Sequence, residues 1–145
     1  MDELTQEVQA EKEHILGTLR VLEKVLDREE KTIIELSAIA TFLQDTYNGM
    51  ENILKRILKS KGIPVPRTGS SHKDLLNTAF DNQIISYELS RRMDEYRAFR
   101  HFFVHGYGIM LDEEKLMPLA KGLPGLWGNF EHEVNAFITH AGDRK

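Results

Sequence analysis

Residues 100–107 gather side chains that could carry out chemistry on a phosphate ester. Within eight positions they hold one arginine, two histidines and one tyrosine. An imidazole titrates close to neutral pH, so His105 could exchange a proton with the 2'-hydroxyl of RNA or with the leaving oxygen. The forked, permanently charged guanidinium of Arg100 could hold the phosphoryl oxygens. These residue types indicate metal-independent cleavage of an RNA phosphodiester, with Arg97 and His101 as supporting contacts.

Arg100, His105 and Tyr107 form the sequence pattern R-x4-H-x-Y. This pattern resembles the signature of HEPN ribonucleases and specifically of the HepT-like toxins. The family prefers a polar residue directly after the arginine, and His101 is one. The resemblance extends to residues 47–54 and 117–119. It implies an endoribonuclease toxin that acts on mRNA or tRNA, uses no cofactor and is encoded beside a minimal nucleotidyltransferase antitoxin. It also implies that this partner neutralises the toxin by transferring AMP from ATP onto Tyr107.

The resemblance leaves a second class of function open. Some HEPN relatives are non-catalytic helical modules that bind nucleotides or RNA for a partner nucleotidyltransferase, and these often lack the full signature. The intact Arg100 and His105 pair favours the enzyme.

Helical geometry divides the motif into an apolar and a polar side. At 100° per residue, one narrow face is predicted to join the core and the opposite arc to face solvent. The core face consists of Phe99, Phe102, Phe103, Gly106 and Met110, and the polar arc of Arg97, Arg100, His101, Val104, His105 and Tyr107. Arg100 and His105 lie about 140° apart on one ideal helix. We therefore predict a homodimer, or a higher even oligomer, whose two motifs share a composite site.

The net charge of −4 conceals a basic stretch. Residues 1–30 hold nine acids and four bases, whereas residues 55–73 hold six bases and no acid. One interpretation is that Lys55, Lys59 and Lys61 contact RNA phosphates, since such contact depends on the local field. The other is that they complement the dipole of a helix C-terminus. The two interpretations are compatible.

Composition indicates one ordinary domain, residues 1–145, in the cytoplasm. The chain contains no cysteine, which excludes disulfides and thiolate chemistry. No apolar run approaches the length of a membrane span, and the acidic N-terminus is unlike a signal peptide.

The periodicity of apolar residues predicts an all-α fold. Helices are expected at about residues 2–26 and 29–59, then from 71 to a break near 81–82, from 87 to 107, and from a cap at Asp112 to 140. Pro118, Gly122 and Pro124 are expected to kink or divide the last one. Short connections between four or five helices favour an up-and-down bundle, and the resemblance implies that it is a dimerising HEPN bundle.

Metal chemistry is not supported by the pattern of candidate ligands. Glu11 and His14 spell Glu-x-x-His, but the second copy that di-iron bundles use is missing. His101 and His105 are four apart, yet no carboxylate obviously completes a site. The remaining histidines, among them His72, are interpreted as surface or capping residues. Trp127 is interpreted as a packing anchor.

Overall fold

The computed structural model describes residues 3–29, 31–65, 71–102 and 113–143 of the protein. Over these ranges the chain is all-helical, with five helices and no strand. The helices, in chain order, are α1 (Glu3–Leu26), α2 (Ile33–Ser60), α3 (Ser71–Asp81), α4 (Tyr87–Phe102) and α5 (Glu113–Asp143). The prediction of an all-α bundle with four or five helices is confirmed.

Helix α2 is the centre of the bundle and contacts all four other helices. Its inner face carries a nearly continuous set of fully buried side chains, because apolar residues recur every three or four positions along it. That set includes Leu43, Tyr47, Met50, Ile53, Leu54, Ile57 and Leu58. Two polar residues, Thr46 and Glu51, are buried among them. A buried carboxylate requires a hydrogen-bonding or charged partner, so such a partner is expected next to Glu51.

The ends of α2 are fixed by local hydrogen bonds. Thr32 caps the first turn by accepting from the Glu35 backbone, while the Glu35 side chain accepts from the Thr32 backbone. The helix therefore begins at Ile33, later than the predicted residue 29. At the other end Gly62 adopts a positive φ of 71°, and Ile63 N donates to Leu58 O. Glycine adopts this left-handed conformation without steric cost, which ends the helix cleanly.

A short turn separates α3 from α4, as the sequence predicts. Gln83 has a φ of 60°, and Ile84 N donates to Ala79 O, which closes the end of α3. Ser86 then caps α4 by accepting from Leu89 N. Glu133 of α5 holds Ser86 in place by accepting from its backbone N at 2.6 Å and from its hydroxyl at 2.9 Å.

The sequence predicts that Pro118, Gly122 and Pro124 kink or divide the last helix, and the structure contradicts the division. Helix α5 runs unbroken through Pro118 and Pro124. Both prolines lie on its exposed side, so neither ring enters the core. The opposite side is held against the bundle by fully or almost fully buried residues, among them Leu123, Trp127 and Phe130. The rings of Trp127 and Phe130 stack with centroids 5.8 Å apart, which confirms Trp127 as a packing anchor.

The close approach of α1 to α2 at Gly49 gives a stability prediction. A Cβ at Gly49 would lie 2.8 Å from Ile15 Cδ1 and 2.9 Å from its Cγ1, and Ile15 is fully buried. Overpacking of this kind costs about 1–3 kcal/mol, which outweighs the roughly 1 kcal/mol that alanine gains over glycine in a helix. We expect Gly49→Ala to lower the free energy of unfolding by about 1 kcal/mol in urea titration.

Gly17 of α1 is the matched control, because a Cβ there meets no atom within 4 Å. Gly17→Ala should raise stability by about 0.5–1 kcal/mol. Combining Gly49→Ala with Ile15→Val, which removes the clashing Cδ1, should recover part of the loss. A Gly49→Ala protein more stable than the wild type would contradict the packing argument.

Candidate functional site

Arg100 lies on the inner face of α4. Leu89, Met93 and Tyr96 form the buried stripe of this helix, and Arg100 occupies the next position in the same three- and four-residue spacing. Its side chain is half-buried rather than solvated. The prediction that Arg100 belongs to the solvated arc is therefore wrong. The buried side of α4 follows Leu89, Met93 and Tyr96, and Arg100 continues that row.

Two neighbouring helices fix the guanidinium of Arg100. Its Nε donates to Asn48 Oδ1 of α2 at 2.5 Å, and its Nη1 lies 3.3 Å from His72 Nε2 of α3. The two contacts use different parts of the planar group, Nε and Nη1. Nη2 takes part in neither of these contacts, and Nη1 carries a second hydrogen. With respect to the described residues, these donors remain for the oxygens of a phosphate.

His72 connects Arg100 to the buried Glu51. Its Nδ1 lies 2.8 Å from Glu51 Oε1 and 3.1 Å from Oε2. The Glu51 side chain is 3 % exposed, whereas that of His72 is 37 % exposed, so the ring reaches from the core to the surface. The interpretation of His72 as a surface residue holds for its partly exposed ring, but the ring also pairs with a buried carboxylate. His72 is the link in a chain of contacts that runs from Glu51 through His72 and Arg100 to Asn48.

The contacts of His72 suit one tautomer. A guanidinium has only donors, so its contact with Nε2 is a hydrogen bond when Nε2 carries a lone pair. In that tautomer the ring proton lies on Nδ1 and is donated to the Glu51 carboxylate.

Two further residues surround this chain of contacts. Burial raises the pKa of Tyr47 well above its ordinary value, and the adjacent Glu51 carboxylate adds to the rise. Arg97 donates from Nε to Asp94 Oδ1 at 2.6 Å, and this hydrogen bond raises the pKa of Arg97. Arg97 is therefore a fixed cation one helical turn before Arg100, on the same side of α4.

The structure describes less of His101, His105 and Tyr107 than of Arg97 and Arg100. His105 and Tyr107 lie outside the described residues, and only the helical backbone is described for His101. The structure therefore places Arg97 and Arg100 of the predicted set beside Glu51, Asn48 and His72, which the sequence interpretation does not include.

The basic residues at positions 55–61 have different surroundings in the structure. Arg56 is bound by α1, with Nη1 2.9 Å from Glu7 Oε2 and Nη2 3.6 Å from Glu11 Oε1. Lys55 is half-buried and Lys59 is exposed. Lys61 Nζ lies 5.7 Å from the centre of the Phe137 ring. Lys59 is about 12 Å beyond Glu51 along α2, so the patch is separate from Arg100.

His14 of the Glu-x-x-His pair lies beside α2, and the His101 and His105 side chains lie outside the described ones. His14 Nε2 lies 2.9 Å from Asp45 Oδ2, which gives it a surface partner on α2. Across the described ranges, no three histidine, aspartate or glutamate side chains lie together as metal ligands would. In the same part of the chain, no helix has the length and apolarity that crossing a membrane requires.

Comparison with known families identifies the family of the chain. The family model described as "HepT-like protein" matches residues 38–141. That range includes most of α2, the whole of α3 and α4 and most of α5, and with them Asn48, Glu51, His72 and Arg100. No curated protein and no solved structure matches the chain. Since the match covers most of the sequence, the chain belongs to the HepT-like family, a HEPN-type family associated with toxins and ribonucleases.

Proposed function

We propose that the protein is a metal-independent endoribonuclease toxin of a toxin–antitoxin pair, with Arg100 and His105 as its catalytic residues. The observation that carries this proposal is the placement of Arg100. A half-buried guanidinium held by Asn48 at Nε and by His72 at Nη1 keeps Nη2 for a ligand, as far as the described residues go. A preorganised cation of this kind suits a phosphorane better than a freely moving surface arginine does.

The mechanism assigns one role to each residue. Arg100 holds two phosphoryl oxygens and offsets the charge that develops on them. His105 exchanges a proton with the 2'-hydroxyl or with the 5'-leaving oxygen. The 2'-oxygen attacks the adjacent phosphorus, and the bond to the 5'-oxygen breaks. The products carry a 2',3'-cyclic phosphate and a 5'-hydroxyl.

The first experiment is incubation of the purified protein with total cellular RNA in excess EDTA. We expect cleavage to proceed, because every group that the mechanism needs is a side chain. Strict dependence on Mg2+ or Mn2+ would overturn the metal-independent mechanism. RNA that is bound but never cleaved under any condition would favour a non-catalytic module that assists a nucleotidyltransferase.

We also propose a homodimer in which both motifs line one groove, with Arg97 and His101 as supporting contacts. If each site uses residues from two chains, mixing Arg100→Ala and His105→Ala proteins should restore part of the activity lost by either variant alone. The measurement is RNA cleavage after the two variants are unfolded and refolded together. No recovery, together with a fully active monomer in sedimentation, would contradict a composite site.

Lys55, Lys59 and Lys61 are proposed as additional RNA contacts away from the catalytic arginine. Each phosphate that a lysine neutralises releases counterions and steepens the fall of affinity with salt, by a slope of about 0.7 per contact on single strands. Charge reversal at all three lysines should weaken RNA binding and reduce this slope by up to about 2. Arg56→Gln is the control, because that side chain already pairs with Glu7 and Glu11. An unchanged slope would assign the lysines to helix-end electrostatics alone.

A further inference from the structure

The pair formed by Glu51 and His72 has no role in the mechanism so far. Cleavage by 2'-hydroxyl attack involves two proton transfers, one from the attacking oxygen and one to the leaving oxygen. His105 can serve only one of them at a time. A second imidazole that lies beside the phosphate-binding cation would serve the other, and His72 is in that position because its Nε2 is 3.3 Å from Arg100 Nη1.

The contacts of His72 suit a general base. With its proton on Nδ1, toward the Glu51 carboxylate at 2.8 Å, Nε2 carries the lone pair. The ring is partly exposed, and RNA can therefore reach it from the surface. A phosphate that binds the end of the Arg100 fork would lie next to Nε2 and would compete with it for the Nη1 hydrogens.

Glu51 is suited to stabilise the ring after it accepts a proton. An imidazolium donates from both nitrogens, and its Nδ1 would remain hydrogen-bonded to a carboxylate that is almost completely buried. Ion pairs are strengthened where water is excluded. The same arrangement of a carboxylate behind an imidazole orients and supports the base in hydrolases that act through serine. Charged groups near this pair, among the described residues, include Arg100, Arg97 and Asp94 on α4, Lys73 and Asp74 on α3, and Lys55 on α2.

We propose that His72 is the general base of the cleavage reaction and that Glu51 is its positioning residue. The proposal rests on the proposed ribonuclease function. His72 Nε2 takes the proton of the 2'-hydroxyl as the O2'–P bond forms. The P–O5' bond breaks, and the 5'-oxygen receives its proton from His105. His72 ends as an imidazolium paired with Glu51 and returns the proton to solvent before the next turnover.

The test measures single-turnover cleavage of a short RNA with one cleavable linkage by His72→Ala and His72→Gln. We expect both to be slower than wild type by about 10²–10⁴-fold, the usual contribution of a general base. Glutamine is the informative variant, because its carbonyl oxygen can accept from Arg100 but cannot take the proton. A His72→Gln protein that cleaves at the wild-type rate would show that the ring only positions Arg100, which overturns the proposal.

A second substrate separates the base from the acid. When sulfur replaces the bridging 5'-oxygen, the leaving thiolate departs without a proton. His105→Ala should then recover much of its lost rate, whereas His72→Ala should not, because the 2'-hydroxyl must still be deprotonated. The reverse pattern, with His72→Ala rescued by sulfur, would overturn the assignment.

His14 provides the matched control for these variants. It also pairs with a carboxylate, Asp45, but lies on α1 away from Arg100. His14→Gln should cleave like wild type. The affinity of His72→Gln for a 2'-O-methyl RNA, which cannot be cleaved, should change less than tenfold. The far-UV circular dichroism of His72→Gln should be unchanged.

Glu51→Gln should slow cleavage, while its RNA affinity and its far-UV circular dichroism stay close to those of the wild type. Full activity of that variant would remove Glu51 from the proposal.

Failure of this inference is distinguishable from failure of the proposed function. If wild-type protein cleaves no RNA, the ribonuclease proposal fails and His72 is not at issue. If the wild type cleaves and Arg100→Ala does not, while both His72 variants keep the wild-type rate, the ribonuclease proposal stands and the role of His72 is wrong.

Discussion

Replacement of Arg100 by alanine is expected to slow RNA cleavage by about a thousandfold or more and to abolish growth arrest on expression. The guanidinium is the fixed cation nearest to the proposed phosphate position, and its orientation is already determined by Asn48 and His72. Arg100→Lys should also lose most of the activity. An ammonium cannot contact both partners and still present further fixed donors to a phosphate.

Arg91 is the control for this experiment. It lies on the same helix, is exposed, and has its guanidinium carbon 5.8 Å from the centre of the Tyr87 ring. Arg91→Ala should remain active and toxic. Circular dichroism and urea unfolding would establish that Arg100→Ala is folded. A folded Arg100→Ala protein with near wild-type cleavage would remove the arginine from the chemistry.

Modification of Tyr107 is expected to inactivate the protein. We propose a minimal nucleotidyltransferase as the partner, and co-expression with it should yield protein that is heavier by one or more AMP units and inactive on RNA. Each AMP adds a phosphodiester anion and an adenine. On an ideal helix Tyr107 lies only about 20° from Arg100, two turns onward, so that anion should compete with RNA phosphate for the same cation. Intact mass spectrometry and peptide mapping provide the measurement.

Tyr107→Phe should stay at least partly toxic yet escape neutralisation, because it lacks the phenolic oxygen that accepts AMP. Tyr87 supplies the control, since it is 60 % exposed on α4 and a transferase could reach it. Tyr87→Phe should still be modified and silenced. Absence of any adduct, or normal silencing of Tyr107→Phe, would favour neutralisation by complex formation.

The helices could be predicted from the sequence because their signals are local. Apolar spacing locates α1 and α2, and turn residues separate α3 from α4 at the predicted break. The continuity of α5 through its two prolines, where the sequence predicts a kink or a division, has a physical cause. Proline removes one backbone hydrogen bond, but the buried residues on the other side of the helix outweigh that loss when the proline rings face outward.

The surroundings of Arg100 could not be predicted, because they depend on contacts between distant residues. Arg100 is 52 positions from Asn48 and 28 from His72. One signal was present in the sequence. Glu51 lies on the same apolar face of α2 as Tyr47 and Leu54, where a carboxylate is buried only when it has a partner. The partner of this carboxylate is one of the histidines that the sequence pattern leaves unexplained, His72.

Analysis of the ends of the cleaved RNA tests the central claim most directly. Wild-type protein is incubated with a defined RNA in EDTA, beside His105→Ala and Arg100→Ala. We expect the upstream fragment to carry a 2',3'-cyclic phosphate and the downstream fragment a 5'-hydroxyl, with neither fragment formed by the two variants. Fragments that carry a 5'-phosphate, or fragments that the variants produce equally well, would contradict cleavage by 2'-hydroxyl attack at this site.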